Sequence, residues 1–191
     1  GFFLLGRRSK EAARLWLTAC SLIFYAMWSV AYLVLLVAWI AANYFFSRWI
    51  ASVRDVSRKQ THYVLMLSVS LNVLALAYFK YRLFVVESVG ALTGADFAVQ
   101  ALVLPLAISF HTFQQIAYLV DSAKPDGPRY SFPQYLLFVS FFPQLIAGPI
   151  VHHSEMLPQF KRDEIFRFSW VSFSAGVFYF VIGLAKKVLI A

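Results

Sequence analysis

Hydrophobic residues follow one another in long uncharged runs along this chain, and the basic residues gather between the runs. A helix needs about 20 mainly apolar residues to cross the hydrocarbon core of a bilayer. The pattern therefore predicts several membrane-spanning helices. All Lys and Arg residues fall into six clusters: Arg7 to Arg14, Arg48 to Lys59, Lys80 to Arg82, Lys124 to Arg129, Lys161 to Arg167 and Lys186 to Lys187.

The first long run, from Leu15 to Ser47, contains no charged residue. As a single helix it would measure roughly 50 Å, against a hydrocarbon core of about 30 Å. Two helices with a break near Trp28 to Tyr32 fit better, because Trp and Tyr favour the membrane interface. The basic clusters at both ends place both ends in the cytoplasm, which predicts a helical hairpin.

The next run, Thr61 to Phe79, predicts a single span. Ser68 and Asn72 lie four residues apart in it, so they share a face that we expect to pack against another helix. The segment that follows, Leu83 to Gln100, holds acidic residues and glycines but no basic residue. This content is typical of an external loop with some interfacial helix.

The run from Ala101 to Asp121 predicts a further span with one polar face. At about 100° per residue, its polar side chains fall within a single stripe and its apolar side chains lie opposite. Two interpretations remain open: the stripe bonds to adjacent helices, or it lines a polar cavity. The polar stripe consists of His111, Gln114, Gln115, Tyr118 and Ser122.

Helix-breaking residues interrupt the next apolar segment, where Pro143, Gly148 and Pro149 stand. In a bilayer every backbone polar group needs a partner, so such breaks are tolerated only against protein or water. We therefore predict an all-α, multipass transmembrane fold with a broken or re-entrant helix around Pro143 to Pro149. Downstream, the pattern predicts a membrane-surface helix over Ser154 to Phe168 and a last span over Ser169 to Ala191.

The composition agrees with a membrane protein. Of the 191 residues, 61% are hydrophobic and 14% charged, and the mean hydropathy is +0.69. A net charge of +8 would suit nucleic acid binding in a soluble protein. Here the basic residues flank apolar segments, as cytoplasmic loops and lipid headgroup contacts do. We expect the lipid bilayer as a partner, and no nucleic acid.

Four histidines are candidates for chemistry: His62, His111, His152 and His153. A neutral imidazole at His111 can accept a hydroxyl proton, and a bond to a neighbouring helix would equally account for it. His152 and His153 follow the broken helix, where a titratable group can meet a polar substrate. With Glu155 they suggest a metal site. Adjacent histidines do not share a helix face, however, and no zinc-type spacing accompanies them, so no metal site is predicted.

Several stretches of the chain resemble a known family. The chain contains LVLPLAISFHTFQQIAYLVD, followed by YLLFVSFFPQLIAGPIVHHSEMLPQF. These stretches strongly resemble the membrane-bound O-acyltransferases of the alginate O-acetylase type. SLIFYAMWSVAYL, LAYFKYRLFV and the closing IGLAKKVLIA extend the resemblance over nearly the whole chain. We therefore interpret residues 1–191 as the N-terminal portion of one such domain, truncated at both ends.

The resemblance implies tilted and re-entrant helices around a central channel in the bacterial cytoplasmic (inner) membrane. It implies an enzyme that transfers an acyl group, here acetyl, from a cytoplasmic donor to hydroxyls of an exported polysaccharide such as alginate. The family's catalytic histidine is expected downstream, and none of the four histidines here matches it. No bound cofactor is expected, the acyl donor is left open, and other envelope acetylation proteins are expected as partners.

Under this resemblance, a set of polar residues and one proline is expected to line the channel and to orient donor or acceptor. Transfer of another acyl group, to teichoic acid, a lipid or a protein, is an alternative within the family. A transporter or channel is the alternative from another class, since a polar stripe and a broken helix also describe a permeation path. The expected lining residues are His111, Gln114, Gln115, Pro143, Gln144, His152 and His153.

Overall fold

The computed structural model describes residues 1–93, 104–145 and 151–190, and this part of the chain contains helices and no strand. The all-α prediction is therefore confirmed. The α-helices are α1 (Phe2–Gly6), α2 (Lys10–Trp28), α3 (Val30–Val53), α4 (Arg58–Thr93), α5 (Ile108–Ser122), α6 (Phe132–Ser140), α7 (Phe142–Leu145), α8 (His153–Gln159) and α9 (Trp170–Ala185). A 3₁₀ turn covers Glu164–Phe166, and a π-helical turn over Lys186–Ile190 follows α9.

The break between α2 and α3 falls on the single residue Ser29, inside the predicted interval. Ser29 has extended backbone angles, φ −166° and ψ 125°, so neither helix continues through it. Its N–H donates to the Tyr25 carbonyl at 3.3 Å, and its hydroxyl accepts from the Tyr32 N–H at 3.4 Å. One serine thus caps the end of α2 and the start of α3.

Within the described ranges, three helices are long and apolar enough to cross a membrane: Val30–Val53, the Arg58–Arg82 part of α4, and Trp170–Leu189. The other arm of the predicted hairpin, α2, is less apolar because its first two turns carry Lys10, Glu11 and Arg14. Helices of this length and composition are those of a multipass membrane protein.

Polar side chains join α3 to α4 inside the apolar region. Trp39 Nε1 donates to Asn72 Oδ1 at 3.0 Å, and Asn72 Nδ2 donates to Asn43 Oδ1 at 2.6 Å. Ser68 and Asn72 are both fully buried, which confirms that their shared face packs inward. In an apolar setting such interhelical hydrogen bonds fix which faces of two helices meet.

Leu83 to Gln100 is predicted as an external loop with some interfacial helix, and the structure shows that helix as a continuation of the preceding span. Helix α4 continues to Thr93, so the first part of that segment is helical; residues 94–100 lie outside the described ranges. Acidic residues and glycine suggested a loop, but residues 83–93 contain no proline. A single glycine inside a helix costs only about 1 kcal/mol, which is too little to end it.

The main core forms where α2, α3, α5, α6 and α8 meet. Aromatic rings dominate it: the rings of Tyr118 and Tyr135 lie 4.6 Å apart between centroids, and both residues are buried. The buried residues of this core are Tyr25, Leu36, Ile40, Tyr118, Tyr135, Phe138, Val139, Met156 and Leu157. The core therefore fixes the position of α5 relative to α6 and α8.

A helix break lies at Phe141, two residues before the interval from Pro143 to Pro149 in which a broken or re-entrant helix is predicted. Helix α6 ends at Ser140, Phe141 has φ −58° and ψ 100°, and the short helix α7 begins at Phe142. Pro143 lies in the first turn of α7, where its missing N–H removes no helical bond. The remaining predicted breakers, Gly148 and Pro149, lie outside the described residues.

Of the two elements predicted after the break, the surface helix differs from the structure and the last span agrees with it. The surface helix expected over Ser154 to Phe168 is limited to α8 and the short 3₁₀ turn. Pro158, in the last turn of α8, lacks the N–H needed to prolong the helix. The last span is present as α9 and is largely exposed along its whole length.

Replacing Asn72 with alanine is expected to lower the free energy of unfolding of the full-length protein by about 1–2 kcal/mol. The Trp39 indole N–H and the Asn43 side-chain oxygen, Oδ1, would lose their hydrogen-bond partner within an apolar region. Thermal unfolding in detergent measures the effect. Ser70→Ala, on the exposed side of the same helix, is the matched control. Equal unfolding temperatures for the two variants would contradict the prediction.

Candidate functional site

The polar stripe of α5 faces the interior of the protein. His111, Gln114, Gln115 and Ser122 are all buried, whereas Phe113 on the opposite face is 51% exposed. The predicted division of α5 into a polar and an apolar face is therefore confirmed. Burial alone does not separate the two interpretations of the stripe, because helix packing and cavity lining both place polar groups inside.

The stripe divides into bonded and unbonded groups. Gln115 Oε1 accepts a hydrogen bond from the Tyr135 hydroxyl at 3.3 Å, and the Ser122 hydroxyl donates one to the Tyr118 backbone carbonyl at 2.8 Å. Both amide atoms of Gln114, the Gln115 Nε2 atom and the His111 Nδ1 atom are buried and have no partner among the described residues. A buried polar group without a partner costs about 1–3 kcal/mol. Water, substrate or another protein segment is needed to satisfy these atoms.

His111 and Gln144 line different openings. His111 borders a pocket of about 80 Å³ whose other walls are mainly apolar and include the aromatic rings of Tyr25 and Trp39. Pro143 and Gln144 border an open cleft of about 590 Å³. The cleft is completed by Phe2, Leu17, Phe141, Val151, Met156, Gln159, Phe160 and Ile165. Among the described residues, the predicted lining set thus lies in more than one place.

His152 and His153 lie at a third place, together with Asp121, which is not among the predicted lining residues. The Asp121 Oδ2 atom lies 2.6 Å from His152 Nε2 and 3.0 Å from His153 Nε2. Lys124 Nζ lies 2.5 Å from the other oxygen, Oδ1, and the Ser154 hydroxyl lies 2.7 Å from His152 Nδ1. We call Asp121, His152 and His153 the histidine cluster.

The two adjacent histidines turn to the same side because a helix begins between them. His152 is the extended residue before α8, with φ −77° and ψ 145°, and His153 is its first helical residue. Their ring centroids are 4.3 Å apart. The side chains of adjacent residues point apart within a helix, but they can point to the same side where a helix begins, as here. Asp121, not Glu155, is the carboxylate that they share.

The charges of the histidine cluster follow from its surroundings, which lie outside the three apolar spans. Burial raises the pKa of the Asp121 carboxyl, but hydrogen bonds from Lys124 and His153 outweigh this effect, and the pKa lies below its usual value. Burial lowers the pKa of the His153 imidazole, against the opposing effect of Asp121. At neutral pH the carboxylate is therefore ionised and His153 is neutral.

Hydrogen bonds from Arg54 hold the loop after α5 in place next to the histidine cluster. Arg54 Nη1 donates to the Ser122 and Lys124 carbonyls at 3.0 and 3.2 Å. A side chain at Gly127 would place its Cβ 2.4 Å from both Arg54 Nη1 and the Asp121 carbonyl. Only glycine fits this close approach. The arginine and the glycine together hold the end of α5, and so Asp121, in a fixed position.

Sequence reasoning missed Asp121 and Lys124 as members of this site. Asp121 follows Tyr118 by three residues and so continues the polar stripe, and Lys124 follows Asp121 by three more. That spacing was a usable signal for a paired carboxylate at the end of α5.

Replacing Asp121 with alanine is expected to destabilise the segment that carries α8. The buried His153 ring would lose the acceptor for its Nε2–H, at a cost of about 1–3 kcal/mol. Hydrogen exchange over residues 151–160 of the full-length protein measures the effect. Asp163→Ala, which removes a surface ion pair with Lys10, is the control and should change little. The same increase in exchange in both variants would rule out a specific role for Asp121.

Comparison with known proteins identifies the family. Residues 20–191 match the family model described as MBOAT, membrane-bound O-acyltransferase family. Over its whole length the chain is 42% identical to a peptidoglycan O-acetyltransferase of Helicobacter pylori, of which it covers 41%. Over its whole length it is also 32% identical to a probable alginate O-acetylase AlgI of Pseudomonas putida, of which it covers 39%.

A probable alginate O-acetylase AlgI of Azotobacter vinelandii is 34% identical over 92% of the chain, which covers 35% of that protein. The chain thus spans about two fifths of the length of these curated relatives. No solved structure matches. The family match covers most of the chain, and the relatives agree with it. This chain belongs to the membrane-bound O-acyltransferase family.

Proposed function

We propose that this chain is the N-terminal part of a multipass enzyme of the bacterial cytoplasmic membrane that transfers acetyl groups to hydroxyls of an exported polysaccharide. The observation that carries the proposal is the family match over residues 20–191. The relatives are bacterial proteins named for O-acetylation of alginate or peptidoglycan. The three apolar helices fit a protein that connects a cytoplasmic acyl donor with an acceptor outside the membrane.

The acceptor that the relatives favour is a glycan of the cell envelope. The peptidoglycan O-acetyltransferase shares 42% of aligned residues with the chain, whereas the probable alginate O-acetylases share 30–34%. We therefore place peptidoglycan first and alginate second as the acceptor. Other envelope acetylation proteins, which would pass or receive the acetyl group, belong to the same proposal.

Acyl transfer to a hydroxyl needs a general base and an environment that stabilises the oxyanion intermediate. A base takes the proton of the sugar hydroxyl, and hydrogen-bond donors stabilise the oxyanion that forms on the acyl carbon. The base is the family histidine expected downstream of this chain. The contribution of the residues described here is to bind and orient donor and acceptor.

Gln114 is suited to this task by its unpaired amide. Its Nε2 and Oε1 atoms are buried and have no partner among the described residues. An amide can donate to an acyl oxygen and accept from a hydroxyl at the same time. Gln144 borders the open cleft of about 590 Å³, which is large enough for part of a sugar or an acyl carrier. We assign substrate orientation to both glutamines.

Alanine at Gln114 or at Gln144 is expected to reduce acetyl transfer by the full-length enzyme about 10-fold or more, because each change removes a group that orients substrate. Base-released acetate from purified peptidoglycan and from alginate, after incubation with membranes that carry the enzyme, measures transfer and identifies the acceptor. Gln60→Ala is the matched control, since Gln60 is an exposed glutamine at the start of α4.

Membrane extracts must contain equal amounts of folded enzyme, checked by immunoblotting and by detergent gel filtration. Transfer by both variants at the rate of Gln60→Ala would overturn the assignment of these glutamines. No transfer to either polymer by the unmodified full-length enzyme would overturn the proposed function itself.

A further inference from the structure

We propose that Asp121, His152 and His153 form a binding site for a divalent transition metal of the zinc class. The observation is geometric. One carboxylate oxygen and two imidazole nitrogens lie within 4.8 Å of one another, although the carboxylate precedes the two adjacent histidines by 31 and 32 positions in the chain. This inference does not depend on the proposed acetyl transfer.

The donor set is that of an open zinc site. Two histidine nitrogens and one carboxylate oxygen are a known set of three protein ligands, and a water or substrate oxygen takes the fourth position. Imidazole ligands favour zinc, copper, iron and nickel over magnesium and calcium. The mixed nitrogen and oxygen ligands therefore point to a transition metal and away from a structural calcium site.

The distances require only a small opening of the cluster. Zinc bonds of 2.0–2.1 Å in a tetrahedral arrangement place neighbouring ligand atoms about 3.3 Å apart. The two nitrogens lie 2.6 and 3.0 Å from Asp121 Oδ2. Each would move by less than ~1 Å to admit the metal. The His152 side chain is 42% exposed and can make this movement, whereas His153 is buried and fixed.

Neighbouring groups orient two of the three ligands, His152 and Asp121, whereas the buried His153 Nδ1 atom has no hydrogen-bond partner among the described residues. The Ser154 hydroxyl contacts His152 Nδ1, which leaves Nε2 directed towards Asp121. Lys124 contacts Asp121 Oδ1, so Oδ2 is the oxygen that remains for the metal. Such outer contacts to ligand atoms are the usual support of a metal site in a protein.

The place of the site in the fold gives it a role. Asp121 belongs to the last turn of α5, and the two histidines begin α8 after the interrupted segment. A metal would join these two elements with a stronger bond than the present hydrogen bonds. Because His152 is the exposed ligand, the fourth position opens on its side, where a water or a substrate oxygen can approach.

Metal titration of the full-length protein tests the proposal. The protein is purified in detergent without a histidine tag, stripped with a chelator and titrated with Co²⁺, whose visible absorption reports tetrahedral nitrogen and oxygen ligands. Zn²⁺ competition then gives the zinc affinity. We expect one equivalent of Co²⁺ to bind, to be displaced by Zn²⁺, and to be lost or weakened at least about 10-fold in His152→Ala.

Two further variants separate ligand loss from misfolding. His152→Cys supplies a thiolate ligand at the same place and should keep binding, with a shifted Co²⁺ spectrum. His62→Ala removes an exposed histidine of α4 and should bind as the unmodified protein does. No saturable binding by the unmodified protein, or equal binding by His152→Ala, would overturn the proposal and leave a hydrogen-bonded cluster only.

Discussion

The fold depends on one constraint: polar groups inside an apolar protein must find partners within that protein. The Trp39, Asn43 and Asn72 side chains meet this constraint between α3 and α4. Ser29 meets it at the turn between α2 and α3, where its backbone and side chain satisfy groups of both helices. Helices that are almost uniformly apolar have no preferred face towards a neighbour in lipid. Their few polar residues therefore decide how they pack.

Features that are set locally along the chain were predictable from the sequence. The break at Ser29 followed from a run too long for one span, and the buried stripe of α5 followed from helical spacing. Both depend on residues near one another in the chain. The predicted span ends at Phe79, whereas α4 continues to Thr93. Residues 83–93 have the composition of a loop but contain no proline that would end the helix.

The histidine cluster could not be predicted from local spacing, because it depends on two facts of tertiary structure. The chain leaves an extended conformation between His152 and His153, which turns both rings to one side. The core of Tyr118, Tyr135 and Phe138 then places α8 against the end of α5, where Asp121 lies. A pair of adjacent histidines therefore needs its backbone context before a shared ligand is accepted or rejected.

Helix α5 differs along its length in whether its polar side chains have hydrogen-bond partners. At its C-terminal end, Ser122 and Asp121 are bonded, and Arg54 fastens the loop beyond. Nearer its start, the buried His111 and Gln114 have polar atoms without partners among the described residues.

The helix begins after Ala107, whose φ of 55° is unfavourable for a residue with a Cβ. The Tyr25 hydroxyl donates to the neighbouring Leu106 carbonyl and holds this turn in place. Strained backbone persists only where the surrounding contacts impose it, and it is concentrated at functional sites. The strained start and the unpaired polar atoms occur in the same half of α5. In that half, buried polar atoms still need a partner, whereas the hydrogen bonds of the other half hold the helix in position.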